Sequence, residues 1–169
     1  MNNLLAIPIL GFVVILQTTI LSRVPLLQGP ADLLLLTLVC WVFQARVTQS
    51  IWIWPVAGGL LLGLFSHLPI WLPVIAYGIV TGLTLALKRR VWQIPVLALF
   101  TSVFLGTIVT NAVSFLYLIV QGVPLVFLEA VNIILLPSII LNLILAIPVQ
   151  AVINEIGRWS IPVEAEAEA

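Results

Sequence analysis

Charge is what this sequence has least of. Its 169 residues include 6 Lys+Arg and 6 Asp+Glu, 7 % together, while 63 % are hydrophobic. A soluble globular domain carries about 25 % charged residues and about 45–50 % apolar ones. The shortage excludes a water-soluble enzyme and a disordered polar chain. The formal net charge is +0, so there is no basic surface for nucleic acid. Cysteine and histidine occur once each, as Cys40 and His67. One cysteine cannot form an intrachain disulfide or a CxxC metal site, and within the apolar run 33–43 it reads as a small hydrophobe. His67 has no Cys, Asp or Glu at ligand spacing and reads as a loop or interface histidine. No Ser-His-Asp set and no HExxH is present, and Gly58-Gly59 is not followed by Lys or Ser/Thr, so there is no phosphate loop. No catalytic residue, metal or cofactor is expected, and the chain is not read as an enzyme.

What is present is apolar sequence in blocks. A bilayer core of about 30 Å needs about 20 apolar residues as helix. Six segments qualify when slightly short ones are allowed: 4–21, 32–45, 51–68, 71–87, a span within 91–121, and 130–153. Breaks fall at Arg23, Pro25, Gly29 and Pro30, at Arg46, at Pro69, at Lys88-Arg89-Arg90, at Gly122-Val123-Pro124, and at Asn154, Glu155 and Gly157. The runs do not alternate, which argues against a β-barrel. In lipid only helices satisfy their own backbone hydrogen bonds without barrel closure. The expected fold is an all-α integral membrane protein, a bundle of six transmembrane helices over residues 1–158. Residues 159–169 form an acidic C-terminal tail, expected to be disordered. The N-terminus lacks a basic n-region and reads as a retained first span.

Basic residues set the orientation. With both termini in the cytoplasm, Arg46, Lys88, Arg89, Arg90 and Arg158 lie inside and only Arg23 outside. Trp52, Trp54, Trp71, Trp92 and Trp159 sit near proposed span ends, where aromatic belts form.

The polar residues inside the spans are uncharged: Gln17, Thr18 and Thr19, then Thr107, Thr110, Asn111 and Ser114, then Asn132, Ser138 and Asn142. An amide in hydrocarbon needs a partner, and interhelical hydrogen bonds supply one at about 0.6–2 kcal/mol. Asn111, Ser114 and Asn142 are placed to face one another across the fifth and sixth spans; a polar ligand cavity is the functional alternative to bundle glue. Asp32, after Pro30 and before Leu33, reads as an N-cap or first-turn acid, and Glu129 likewise starts a helix; a partner contact is the alternative for both. Gly59-x-x-x-Gly63 and Gly78-x-x-x-Gly82 have close-packing spacing on neighbouring spans and predict a tight hairpin. Pro137 lies mid-span; it should kink the sixth helix, with Ser138 or Asn142 satisfying the freed carbonyl.

In this order the motifs resemble the bacterial rod-shape-determining MreD family. The resemblance rests on Gln17-Thr18-Thr19-Ile20-Leu21, on Pro30-Ala31-Asp32-Leu33-Leu34-Leu35, and on the glycine stretch from Gly59 to Leu64. It continues through Tyr77 to Gly82 with the basic cluster after it, and ends with Pro137-Ser138, Asn142 and Pro148-Val149. It covers most of the chain, from Gln17 to Val149. The chain carries Ser66-His67 where many family members place an Asp after the third-helix glycines. The resemblance implies a non-enzymatic scaffold of the cell-wall elongation machinery in the bacterial inner membrane, helping to maintain rod shape and direct peptidoglycan synthesis. It implies binding to the bitopic protein MreC, and links to MreB, RodA and a class B penicillin-binding protein. Taken together, the candidates for helix packing or a partner interface are Gln17, Thr18, Asp32, Gly59, Gly63, Tyr77, Gly78, Gly82, Asn111, Pro137, Ser138 and Asn142.

The plan is also similar to the substrate-binding subunit of an energy-coupling-factor vitamin transporter, another six-span protein. The usual Ala-x-x-x-Ala contact of its first helix is missing here, since Ala6 is followed by Leu10. A membrane enzyme or proton-coupled carrier needs a central carboxylate, and the span centres carry none.

Overall fold

A computed structural model describes residues 6–19, 31–44, 51–66, 68–90, 95–124 and 127–160. The described residues are helical with no strand. Six helices follow in order: α1 (Ala6–Thr19), α2 (Leu33–Phe43), α3 (Ile53–Phe65), α4 (Trp71–Arg90), α5 (Pro95–Val120) and α6. The last is one continuous rod of three pieces, Phe127–Ala130, a π-helical turn Val131–Leu135, and Leu136–Ser160. Arg23, Arg46, His67, Trp92 and residues 161–169 lie outside the described residues.

Several boundaries differ from the sequence expectation. Lys88, Arg89 and Arg90 do not stop α4 but form its last turn, where cations favour the negative helix end. Pro95 opens α5, at a position where a missing N–H costs nothing. α5 ends in a Schellman turn: Gly122 N–H donates to Ile119 O at 2.9 Å and Val123 N–H to Leu118 O at 3.1 Å. Gly122 has φ 76°, a left-handed conformation suited to glycine. α6 runs through Asn154, Glu155 and Gly157 to Ser160, past the boundary expected at 158.

The architecture is organised around α2. Nine of its eleven residues, from Leu34 to Val42, are buried, and α1, α3, α4, α5 and α6 all touch it. At 1.5 Å per residue it is only about 16 Å long, too short for a bilayer core of about 30 Å. Its apolar side chains form the core with Leu10, Val14, Trp54, Tyr77, Val80, Val103 and Ala146. Trp41 stacks on Trp54, centroids 3.9 Å apart. Trp54 is therefore a core residue and not a belt residue, because α3 turns that face towards α2; Trp52 and Trp71 are exposed. Cys40 is buried and free.

The outer surface is apolar too, with Phe12, Ile15, Leu64, Phe65, Leu116, Ile144 and Ile147 each at least 60 % exposed. Among the described residues, three helices are long and apolar enough to cross a membrane: Trp71–Arg89, Pro95–Val120 and Phe127–Arg158.

The two glycine pairs behave differently. A Cβ on Gly59 would lie 2.5 Å from Val74 Cα, and one on Gly63 2.8 Å from Ile70 Cα. The backbones of α3 and α4 meet on these glycines. Gly78 faces open space, and a Cβ on Gly82 would reach only the Trp52 ring at 3.7 Å. The tight hairpin thus rests on the α3 pair; of the α4 pair only Gly82 meets the α3 end, at the Trp52 ring.

Candidate functional site: a polar node at the head of a buried helix

A buried helix leaves its first N–H and last C=O groups without helical partners, and in an apolar interior each needs one. α2 is supplied at both ends by side chains from other helices. At its N-terminus Asp32 is the cap: its Oδ1 accepts from Leu35 N–H at 2.9 Å. Gln17 on α1 reaches across and accepts from Leu34 N–H through Oε1 at 3.2 Å. Asn142 on α6 accepts from the Asp32 N–H through Oδ1 at 2.9 Å. Tyr77 on α4 donates its hydroxyl to the Asp32 carboxylate, 3.0 Å from each oxygen. Asn142 spends its amide N–H on Thr107 Oγ1 of α5 at 2.9 Å, and Thr107 donates on to Val103 O at 2.8 Å. Side chains from α1, α2, α4, α5 and α6 therefore close one hydrogen-bonded node. Asn142 is fully buried and Tyr77 and Thr107 nearly so.

At the other end of α2 one side chain from another helix donates, among the described residues. Lys88 of α4 bends back and gives its ammonium to Val42 O at 2.6 Å and Gln44 O at 3.3 Å. Gln44 in turn packs against Gly157 of α6.

Of the residues singled out from sequence, Gln17, Asp32, Tyr77 and Asn142 meet in the node. The proposed facing of Asn111, Ser114 and Asn142 does not occur as direct contact. Asn111 donates to Thr107 O at 2.8 Å and Ser114 to Thr110 O at 2.9 Å, both within α5. Their short side chains reach the preceding turn before they reach α6. Thr18 bonds back to Val14 O at 2.9 Å. Pro137 follows the π turn, in which Leu136 N–H donates to Val131 O. Neither Ser138 nor Asn142 serves the carbonyl that Pro137 frees. Asn142 is engaged with Asp32 and Thr107, and the buried Ser138 Oγ has no hydrogen-bond partner. Sequence reasoning missed Thr107 as the fifth member of the node and Lys88 as the closing donor. Both partners are far away in the chain, so no local spacing signals them.

Beside the node lies a cavity of about 180 Å³. Gln17, Asp32, Tyr77 and Asn142 line it, with Ser66 of the α3 end, Thr110, Asn111 and Ser114 of α5, and Ser138 of α6. Asp32 is the one formal charge among these described residues. No group of three His, Cys, Asp or Glu able to hold a metal occurs among the described residues.

No family model matches the chain, and no curated protein or solved structure matches it. The functional reading therefore rests on the residues themselves.

Proposed function

We propose that this chain is a six-span inner-membrane scaffold of bacterial cell-wall elongation, similar in role to MreD, that binds MreC without performing chemistry of its own. The observation that carries the reading is the node. Gln17, Asp32, Tyr77 and Asn142 come from four separate stretches of the MreD-like pattern, and one hydrogen-bonded cluster joins them. The pattern then marks what holds the helices in register. The six-span bundle is supported by the apolar outer surface and by three helices of spanning length. α2 and α3 are too short to cross alone; as spans they rely on their neighbours, which cover α2 almost entirely. With both termini inside, the Asp32 end of the bundle faces out and the Lys88 end faces in. MreB, RodA and a class B penicillin-binding protein are the further partners this role implies. The vitamin-transporter reading is weakened by the linings. The polar cavity has about 180 Å³, below the about 300–1,000 Å³ of a drug-sized ligand's pocket, and the larger space of about 600 Å³ between α1 and α6 is lined almost wholly by apolar side chains.

The test is co-expression with tagged MreC from the same genome, followed by solubilisation in mild detergent. The scaffold reading predicts stoichiometric co-purification. A chain that purifies alone, with a vitamin-sized molecule retained, contradicts it.

A further inference from the structure

The cavity beside the node has more acceptors than the node uses. Thr110, Asn111 and Ser114 each give a donor to a carbonyl of α5, which leaves hydroxyl lone pairs and Asn111 Oδ1 as acceptors. The Asp32 carboxylate accepts from Leu35 and Tyr77, yet no Lys, Arg or His among the described residues forms an ion pair with it. Ser138 is 2 % exposed, its Oγ has no hydrogen-bond partner, and it belongs to the same lining. A buried hydroxyl without a partner and a carboxylate without a counter-charge are both rare, because each costs free energy until something satisfies it. A buried carboxylate at membrane depth with no counter-charge among the described residues points to a ligand.

We infer that this cavity binds a primary ammonium group. One positive charge balances Asp32, and its N–H donors match the surplus acceptors, Ser138 Oγ and Asn111 Oδ1 among them. At about 30 Å³ per water molecule, 180 Å³ is room for about six waters, enough for an aminoethyl group. A quaternary ammonium has no N–H to give and fills the space with methyls, so the site discriminates against it. The amine can be free or carried by a lipid. Exposed Phe65 and Trp71, next in the chain to lining residues Ser66 and Leu72, offer apolar contact to a lipid chain. The inference holds whether or not the chain binds MreC.

The full-length protein is placed in nanodiscs of phosphatidylglycerol mixed with either phosphatidylethanolamine or phosphatidylcholine, and its thermal unfolding is followed. Ethanolamine is then titrated into the phosphatidylcholine sample, with choline as the control. Binding raises Tm by mass action. A higher Tm in the phosphatidylethanolamine discs assigns a lipid headgroup; a saturable rise with ethanolamine, absent with choline, assigns a free amine. Asp32→Asn keeps an acceptor for Leu35 N–H and the Tyr77 hydroxyl while removing the charge, and should weaken the response about tenfold in apparent affinity. Ser138→Ala leaves every helix cap intact and should weaken it about threefold, so it carries the test if Asp32→Asn does not fold. Equal shifts with choline and ethanolamine, no shift with any amine or lipid, or a Ser138→Ala response equal to that of the unaltered protein would each overturn the inference.

Discussion

At the scale of single residues, Gln17, Asp32, Tyr77, Lys88 and Asn142 answer one problem, the ends of a buried helix. Asn142 shows it most clearly. It is fully buried and spans two helices, accepting from Asp32 N–H and donating to Thr107. Its effect on any partner must therefore pass through the fold. Asn142→Leu keeps the volume but leaves the Asp32 N–H without an acceptor, which should cost about 1–3 kcal/mol. Denaturant unfolding in mild detergent measures this, and an unchanged midpoint would show that the node contributes nothing. The sequence made the polar residues visible, because amides and a carboxylate stand out in 63 % hydrophobic surroundings. It did not reveal who pairs with whom. Asn142 and Asp32 are 110 residues apart, and only the packing of α6 on α2 brings them together.

At the scale of elements, apolar block length and breakers made all six helices legible, since proline, glycine and charge interrupt apolar runs for local backbone reasons. Which face each helix buries was less legible, because the chain is apolar on every side. The glycine pairs illustrate the difference: identical spacing, yet only Gly59 and Gly63 lie against backbone. Gly59→Ala should cost about 3 kcal/mol or more, or prevent folding, because Val74 Cα cannot move aside as a side chain can. Gly78→Ala, in open space, should be neutral or stabilise by up to about 1 kcal/mol. Parallel unfolding curves of the two variants check the contrast. From sequence the basic run that closes α4 reads as an orientation signal. One of its members, Lys88, also satisfies the end of α2. Lys88→Met keeps the apolar stem and removes the donor, so it should destabilise by about 1–3 kcal/mol. Lys88→Arg, which retains donors, should restore most of that loss in the same assay.

At the scale of the whole molecule, a short, buried, doubly capped helix lies at the centre of five others. The polar node and cavity sit at one end of the bundle and Lys88 at the opposite end. Composition alone made the apolar class legible, while the central position of α2 was not, since an 11-residue apolar run looks like a clipped span until its neighbours are known. The most direct measurement is cysteine accessibility in intact cells, on a background with the buried Cys40 replaced by alanine. Ile70→Cys and Val123→Cys lie at the node end, and Arg89→Cys and Arg158→Cys at the other, all at exposed positions. A membrane-impermeant maleimide should label the first two from outside, and the second two only after permeabilisation. Labelling of all four from the same side, or of Arg89→Cys and Arg158→Cys in intact cells, would contradict the account.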